Sequence, residues 1–218
     1  MKVELVNITD NAIETIFKAY RICYSKLPYS DIKLRSEEEM IDFIKKYMVG
    51  GHSSPLEHVN VTFSIDGISR ACLSQLTRHR TMSFNVKSQR YVNEAGFEFV
   101  VPKAIEEIPV ANELFLQVMD DLQAAYEKFK AMGVKNEDAR AILPNATTCN
   151  LLVTVDLNNF RKFLALRKCQ HAQLEIRELA NEMCRLVKDV IPFVDYKCMN
   201  CGKICSDCFT KGVAYDGY

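Results

Sequence analysis

Between Leu76 and Tyr91 the chain reads LTRHRTMSFNVKSQRY, and no carboxylate stands between Asp66 and Glu94. Arg78, His79, Arg80, Lys87 and Arg90 therefore crowd into one segment of a protein whose formal net charge is zero. Like charges that close repel one another, which points to an anion among them. Arginine suits that task because its planar fork holds a phosphate through two bonds. Ser83, Asn85, Ser88 and Gln89 add neutral groups of the kind that read a base and a ribose. Charge alone leaves two readings open: an anion-binding loop, or a solvated loop in which Arg78 caps a helix end.

Three other sets of residues have chemical potential. Arg167, His171 and Glu175 are spaced by four and would share one face of a continuous helix, as ligand contacts or as a ladder of intrahelical pairs. Ser54-Pro55-Leu56-Glu57 reads as a capping box with proline at the first helical position, whose free amides would suit a phosphate. His52 and His58 flank it without partners at metal-ligand spacing. Near the end, Cys198, Cys201, Cys205 and Cys208 form two CxxC pairs, the ligand set of a zinc ion or an iron–sulfur cluster. Their connector is shorter than a zinc ribbon's, and a thiol-rich tail without metal is the other reading.

The elements that must position these groups follow from periodicity. A strand at Val3–Val6 precedes a helix started by Thr9 or Asp10, with Ile13, Ile16, Phe17 and Tyr20 on one face. Ser36 and Glu39 form a capping box for a second helix, with Ile41, Ile44 and Met48 inward and Gly50-Gly51 as its stop. Val59, Val61, Phe63 and Ile65 alternate as a half-buried strand. Asp66-Gly67 then turns the chain into a helix from Ser69 to His79, which leads into the basic loop. Phe97 to Val101 is extended, and a long helix after Pro109 carries Leu114, Phe115, Val118, Leu122, Ala125, Tyr126 and Phe129 on one side. Glu137 to Leu143 makes a short helical turn, Cys149 to Val155 another strand, and Asn159 to Val190 helix with a break near Cys169. The reading is one α+β domain over residues 1–192 and a cysteine-rich tail over 193–218.

The totals restrict function further. Charge balance argues against a general nucleic-acid binder. No signal peptide and no membrane span is read, and nine cysteines without an export signal imply reduced thiols in the cytoplasm.

RHRTMSFNVKSQRY also resembles the signature of the flavin-dependent thymidylate synthases: Arg78-His79-Arg80, seven residues, then Ser88, extended by Ser83, Asn85, Arg90 and Tyr91. GGHSSPLEH, Gly50 to His58, is similar to that family's flavin-contacting segment before the first core strand, and DARAILP and LRKCQHAQLEIRELA to its later ligand-binding stretches. The resemblance implies an α+β fold, mainly an antiparallel sheet packed with long helices, in an intertwined homotetramer. It implies methylation of dUMP to dTMP, with methylenetetrahydrofolate as carbon donor, FAD as hydride carrier and NADPH as reductant. Nucleic acid and membrane are not expected partners.

Carried over by position, Gln75, Leu76, Thr77 and Arg78 fall on dUMP contacts, as do Val86, Lys87, Ser88, Gln89 and Arg90, then Arg140 and Arg167. Ser54, Glu57, Arg78, His79, Arg80, Asn158 and His171 fall on FAD contacts. Arg167 is the implied activating residue: a guanidinium beside N3 and its carbonyl stabilises an anionic pyrimidine ring. Departures at Val86, Asp156, Asn158 and Lys162 admit a flavin-binding relative with altered or lost methyl transfer. A third reading is a metal-tailed module for single-stranded nucleic acid, but only Phe84 and Tyr91 interleave with the basic residues.

Overall fold

A computed structural model describes residues 1–195, so the four tail cysteines lie outside the described residues. The elements run β1 (Lys2–Ile8), α1 (Ala12–Ile22), α2 (Glu37–Val49), β2 (Asn60–Ser69), α3 (Arg70–Leu76) and β3 (Ser83–Val86). After them come α4 (Lys103–Glu106), α5 (Pro109–Ala131), α6 (Asn136–Ala139), β4 (Thr148–Asp156), α7 (Leu157–Arg167) and α8 (Leu174–Lys188).

The four strands form one sheet in the order β1-β2-β4-β3. Its inner face is the alternation read in the sequence: Val61, Phe63 and Ile65 of β2 and Cys149, Leu151, Val153 and Val155 of β4 are buried. Leu157 donates its amide to Val59, the Thr62 and Thr154 hydroxyls meet at 2.9 Å, and Arg70 donates its amide to Thr147. Rising numbers on one strand against falling numbers on the other make the pair antiparallel.

By contacts the described chain divides into two compact units. The first holds Met1–Lys2, Ile65–Arg78 and Phe84–Leu152. Its interior is built from Ile68, Cys72, Leu76, Phe97, Met119 and Tyr126. The second holds Val3–Ser64, His79–Ser83 and the described residues from Val153. There α1 buries Ile16, Phe17 and Tyr20, while α8 buries Ile176, Leu179, Met183 and Val187. Phe160 of α7 sits 5.5 Å from the Phe63 ring and 6.1 Å from Phe163, an aromatic stack along the helix. Removing one such ring costs about 3–5 kcal/mol.

Several expectations change. Strand β2 runs through Asp66-Gly67 instead of turning there; Gly67 adopts φ +74° within the strand, a conformation side-chain-bearing residues rarely take. Helix α3 starts at Arg70, with Ser69 accepting from the Cys72 amide, and ends at Leu76, short of His79. Thr77 ends it by folding its hydroxyl back onto the Leu73 carbonyl at 3.0 Å, the local competition typical of threonine. Part of the basic loop is strand β3, whose ladder continues as Lys87 donates its amide to Asn150. Helix α5 buries only Met119 and Tyr126 fully, and Leu114, Val118 and Phe129 are exposed. The capping box at Ser36 forms as read.

Candidate active site

In the first unit, α3 ends with Gln75 on its last turn and Leu76 buried, and it delivers Thr77 and an exposed Arg78 just beyond. Strand β3 then carries Val86 to the start of a tight turn. Ser88 makes that turn: its carbonyl accepts from Tyr91 and Val92, and its hydroxyl accepts from the Arg90 amide at 3.3 Å.

The turn is fastened to α6. Arg90 donates to a Glu137 carboxylate oxygen at 3.2 Å, Asn136 donates to the Tyr91 carbonyl at 3.3 Å, and Arg140 donates its Nε–H to the Glu137 carbonyl at 3.1 Å. Glu137 thus gathers two arginines that lie fifty residues apart in the sequence, Arg90 and Arg140, both expected at the nucleotide. Nothing in the sequence singled Glu137 out, because an acidic residue in the first turn of a short helix reads as a dipole partner. Gln89 has its amide nitrogen buried without a protein partner. Lys87 points its ammonium at Glu94, 2.9 Å away.

In the second unit, the Ser54–His58 segment is a 3₁₀ turn that buries Pro55 and Leu56 and leaves Ser54 exposed. The expected capping box does not form there. The position before the turn is Ser53, which makes no side-chain cap bond, and the Glu57 carboxylate instead accepts from the Asn158 amide at 2.8 Å. Asn158 is buried in the first turn of α7. That helix is capped by Asp156, which accepts from the Asn159 backbone at 2.9 Å and side chain at 2.6 Å. Two FAD-assigned residues a hundred positions apart are therefore bonded to each other, and the departure at Asp156 is a helix cap.

At the far end of α7, Arg167 donates its Nε–H to Nε2 of His79 at 3.0 Å. The imidazole must be neutral, with its proton on Nδ1, to accept that bond. Burial and the adjacent Arg167 charge both push it that way, lowering its pKa from 6.5 to about 4. Phe163, one turn earlier on α7, meets the imidazole edge-on at 5.0 Å. His79 thus rests against one face of α7, held by a ring and a guanidinium.

Helix α7 stops at Arg167, so Arg167, His171 and Glu175 do not share a continuous helical face. His171 lies in the connection to α8, exposed, with Nδ1 3.4 Å from the Cys169 sulfur, and Glu175 sits in the first turn of α8. Lys168 closes the end of α7 by donating to both Asp195 carboxylate oxygens at 2.8 Å. Burial pulls the Lys168 pKa down, but its contacts with Asp195 and Cys184 together raise it above its usual value. Arg80 and Lys162 are exposed.

His52 belongs to an aromatic group that the sequence did not reveal. Tyr20 donates its hydroxyl to the His52 carbonyl at 2.6 Å, and the Tyr24 hydroxyl lies 3.2 Å from Nδ1. Burial raises the Tyr20 pKa to about 12, so its hydroxyl stays a donor.

The profile of the family described as thymidylate synthase complementing protein matches residues 4–193. The flavin-dependent thymidylate synthase of Nitratidesulfovibrio vulgaris is 38% identical over 205 residues, covering 88% of this chain and 84% of that protein. The enzyme of the same name from Geobacter sulfurreducens is 39% identical over 197 residues, covering 89% and 85%. Among solved structures, a UMP/dUMP methylase, PolB, from Streptomyces cacaoi bound with 5-Br dUMP superposes with a TM-score of 0.79. At 23% identity over 88% of this chain and 91% of that one, it shares the fold. With the signature, the bonded Arg167 and His79, and relatives matched over most of their length, the chain belongs to the flavin-dependent thymidylate synthase family.

Proposed function

We infer that this protein methylates dUMP to dTMP, using methylenetetrahydrofolate as carbon donor, FAD as hydride carrier and NADPH as reductant. The observation that carries the reading is the bond between His79 of the signature and Arg167, 88 positions away. It holds a permanent cation in a fixed orientation, which is what activation of a pyrimidine requires.

The residues fit a flavin dinucleotide by donor type. Exposed Arg78 and Arg80 suit its phosphates; the exposed Ser54 hydroxyl and the Glu57–Asn158 pair suit its hydroxyls and adenine. His171, exposed beyond α7, adds an imidazole. The flavin supplies the hydride that completes the methyl group.

The chain's own residues do the rest. Uracil C5 attacks a carbon electrophile only when its ring carries added electron density. The Arg167 guanidinium stabilises that density at N3 and the neighbouring carbonyl and keeps its charge when partly buried. Neutral His79 accepts one N–H and fixes the plane of the fork without adding a competing positive charge. Arg90, Arg140 and Arg78 hold the monophosphate, and the Ser88–Gln89 turn reads the sugar and base. Leu76, Thr77 and Val86 frame that segment through their backbone. Cys72, Cys149 and Cys169 are buried, and no thiol nucleophile is required of them.

The protein acts as a homotetramer in the cytoplasm. The exposed stripe of Val110, Leu114, Val118 and Phe129 along α5 supports self-association, since such apolar runs mark interaction surfaces. Among the described residues no helix is long and apolar enough to cross a membrane. Residues 1–192 are the catalytic domain, and Cys198, Cys201, Cys205 and Cys208, which lie outside the described residues, are of the type and spacing that suit a zinc ion or an iron–sulfur cluster.

Purified protein should be yellow, with an oxidised-flavin spectrum that shifts on titration with dUMP. Colourless, native protein that takes up neither flavin nor dUMP would overturn the reading.

A further inference from the structure

Lys87 is tied down at three points, all within the first unit. Its amide donates to the Asn150 carbonyl of β4 at 2.9 Å. Its carbonyl accepts from the Arg70 guanidinium at 3.0 Å. Its ammonium donates to Glu94 at 2.9 Å, with the lysine side chain 28% exposed and the glutamate 4%. Glu94 is itself fixed, because its amide donates to the hydroxyl of the fully buried Tyr126 on α5 at 3.1 Å. Residues Ser88 to Arg90, the nucleotide-reading turn, hang between these two anchors.

We propose that Glu94 and Lys87 are positioning residues for the nucleotide, with Lys87 setting the Ser88–Arg90 turn by pairing with Glu94 and not by touching the substrate phosphate. The proposal rests on the reading of that turn as the dUMP contact. Its physical basis is the burial of the pair. Glu94 is buried with one carboxylate oxygen, Oε1, lacking a protein partner, and the Lys87 ammonium, 2.9 Å from the other oxygen, is its counter-charge. Removing either partner strands the other, and the strain falls on the short turn between them. A lysine reaching for phosphate would need to leave Glu94 without a counter-charge.

The two accounts of Lys87 predict opposite results for one substitution. If Lys87 bound phosphate directly, Glu94→Gln would free the cation and leave dUMP affinity unchanged or tighter. As a positioning pair, Glu94→Gln and Lys87→Met each weaken dUMP binding about tenfold in protein that still loads flavin, with the thermal midpoint lowered by loss of the pair. Lys87→Arg restores most of the affinity, and the double variant Lys87→Met/Glu94→Gln is no weaker than either single one, because the pair acts as a unit. Should Glu94→Gln fail to fold, Tyr126→Phe removes only the hydroxyl that anchors the Glu94 amide, and it weakens dUMP in the same direction. Wild-type dUMP affinity in flavin-loaded Glu94→Gln, or in Tyr126→Phe, overturns the proposal. Failure of the wild-type protein to bind dUMP would instead remove the functional reading beneath it.

Discussion

Arg167 and His79 meet at 3.0 Å, with the guanidinium donating and the imidazole accepting. One closes α7 and the other follows α3 in the chain, yet together they make a cation whose plane is set by a neutral base. Arg167→Lys keeps the charge but loses the planar fork and the Nε–H that His79 accepts. Turnover is expected to fall about a hundredfold, the usual loss when a preorganised donor to a developing anion is removed. The dUMP dissociation constant is expected to move far less. Steady-state kinetics beside a binding titration separate the two; equal losses would make Arg167 a binding residue only.

The same contact predicts how His79 titrates. Folding lowers its pKa from 6.5 to about 4, so between those values the unfolded chain binds the proton more readily. The stability carried by neutral His79 is therefore complete above about pH 6.5 and is lost as pH falls through about 4. An NMR titration should place the imidazole midpoint near 4, and Arg167→Leu should raise it. Denaturant midpoints of His79→Gln should fall less steeply than wild type across that window.

The sequence displayed strands β1, β2 and β4, the α1 face and the Ser36 cap because each is a local pattern: period two, period four, or a hydroxyl three residues before a glutamate. It misled where a side chain chose a distant partner. Glu57 reads as half of a capping box but bonds Asn158, and α3 reads to His79 but stops where the Thr77 hydroxyl turns back. The long apolar face of α5 was legible as a pattern, yet burial within one chain takes only part of it. Residue types at the site were visible in the signature. Pairings such as Glu137 with Arg90, or Lys87 with Glu94, depend on the fold to bring segments together and left no local trace.

On the proposed reading of Arg90 as a phosphate contact, Glu137 competes with the substrate for it. Both side chains of the pair are exposed, 54% and 40%, so the bond contributes at most about 1 kcal/mol. Glu137→Gln should tighten dUMP binding by about two- to fivefold at low salt, and by less at high salt as screening removes the competition. Isothermal titration at two ionic strengths measures this. Weaker binding in the variant would show that Glu137 positions Arg90 instead of competing for it.

Asn158 supports Glu57 from a buried position. Asn158→Ala leaves that exposed carboxylate to water, at a cost of about 0.5–1.5 kcal/mol. The expected outcome is loss of flavin on gel filtration with helix content retained by circular dichroism. Full flavin retention would remove the Glu57–Asn158 pair from the cofactor site.

The most direct measurement is tritium release from dUMP labelled at C5, followed with methylenetetrahydrofolate and NADPH present. Replacement of the C5 hydrogen by a methyl group requires tritium to appear in water in step with dTMP, and only when all the reactants are supplied. Flavin-loaded, dUMP-binding protein that releases no tritium and forms no dTMP would contradict the account.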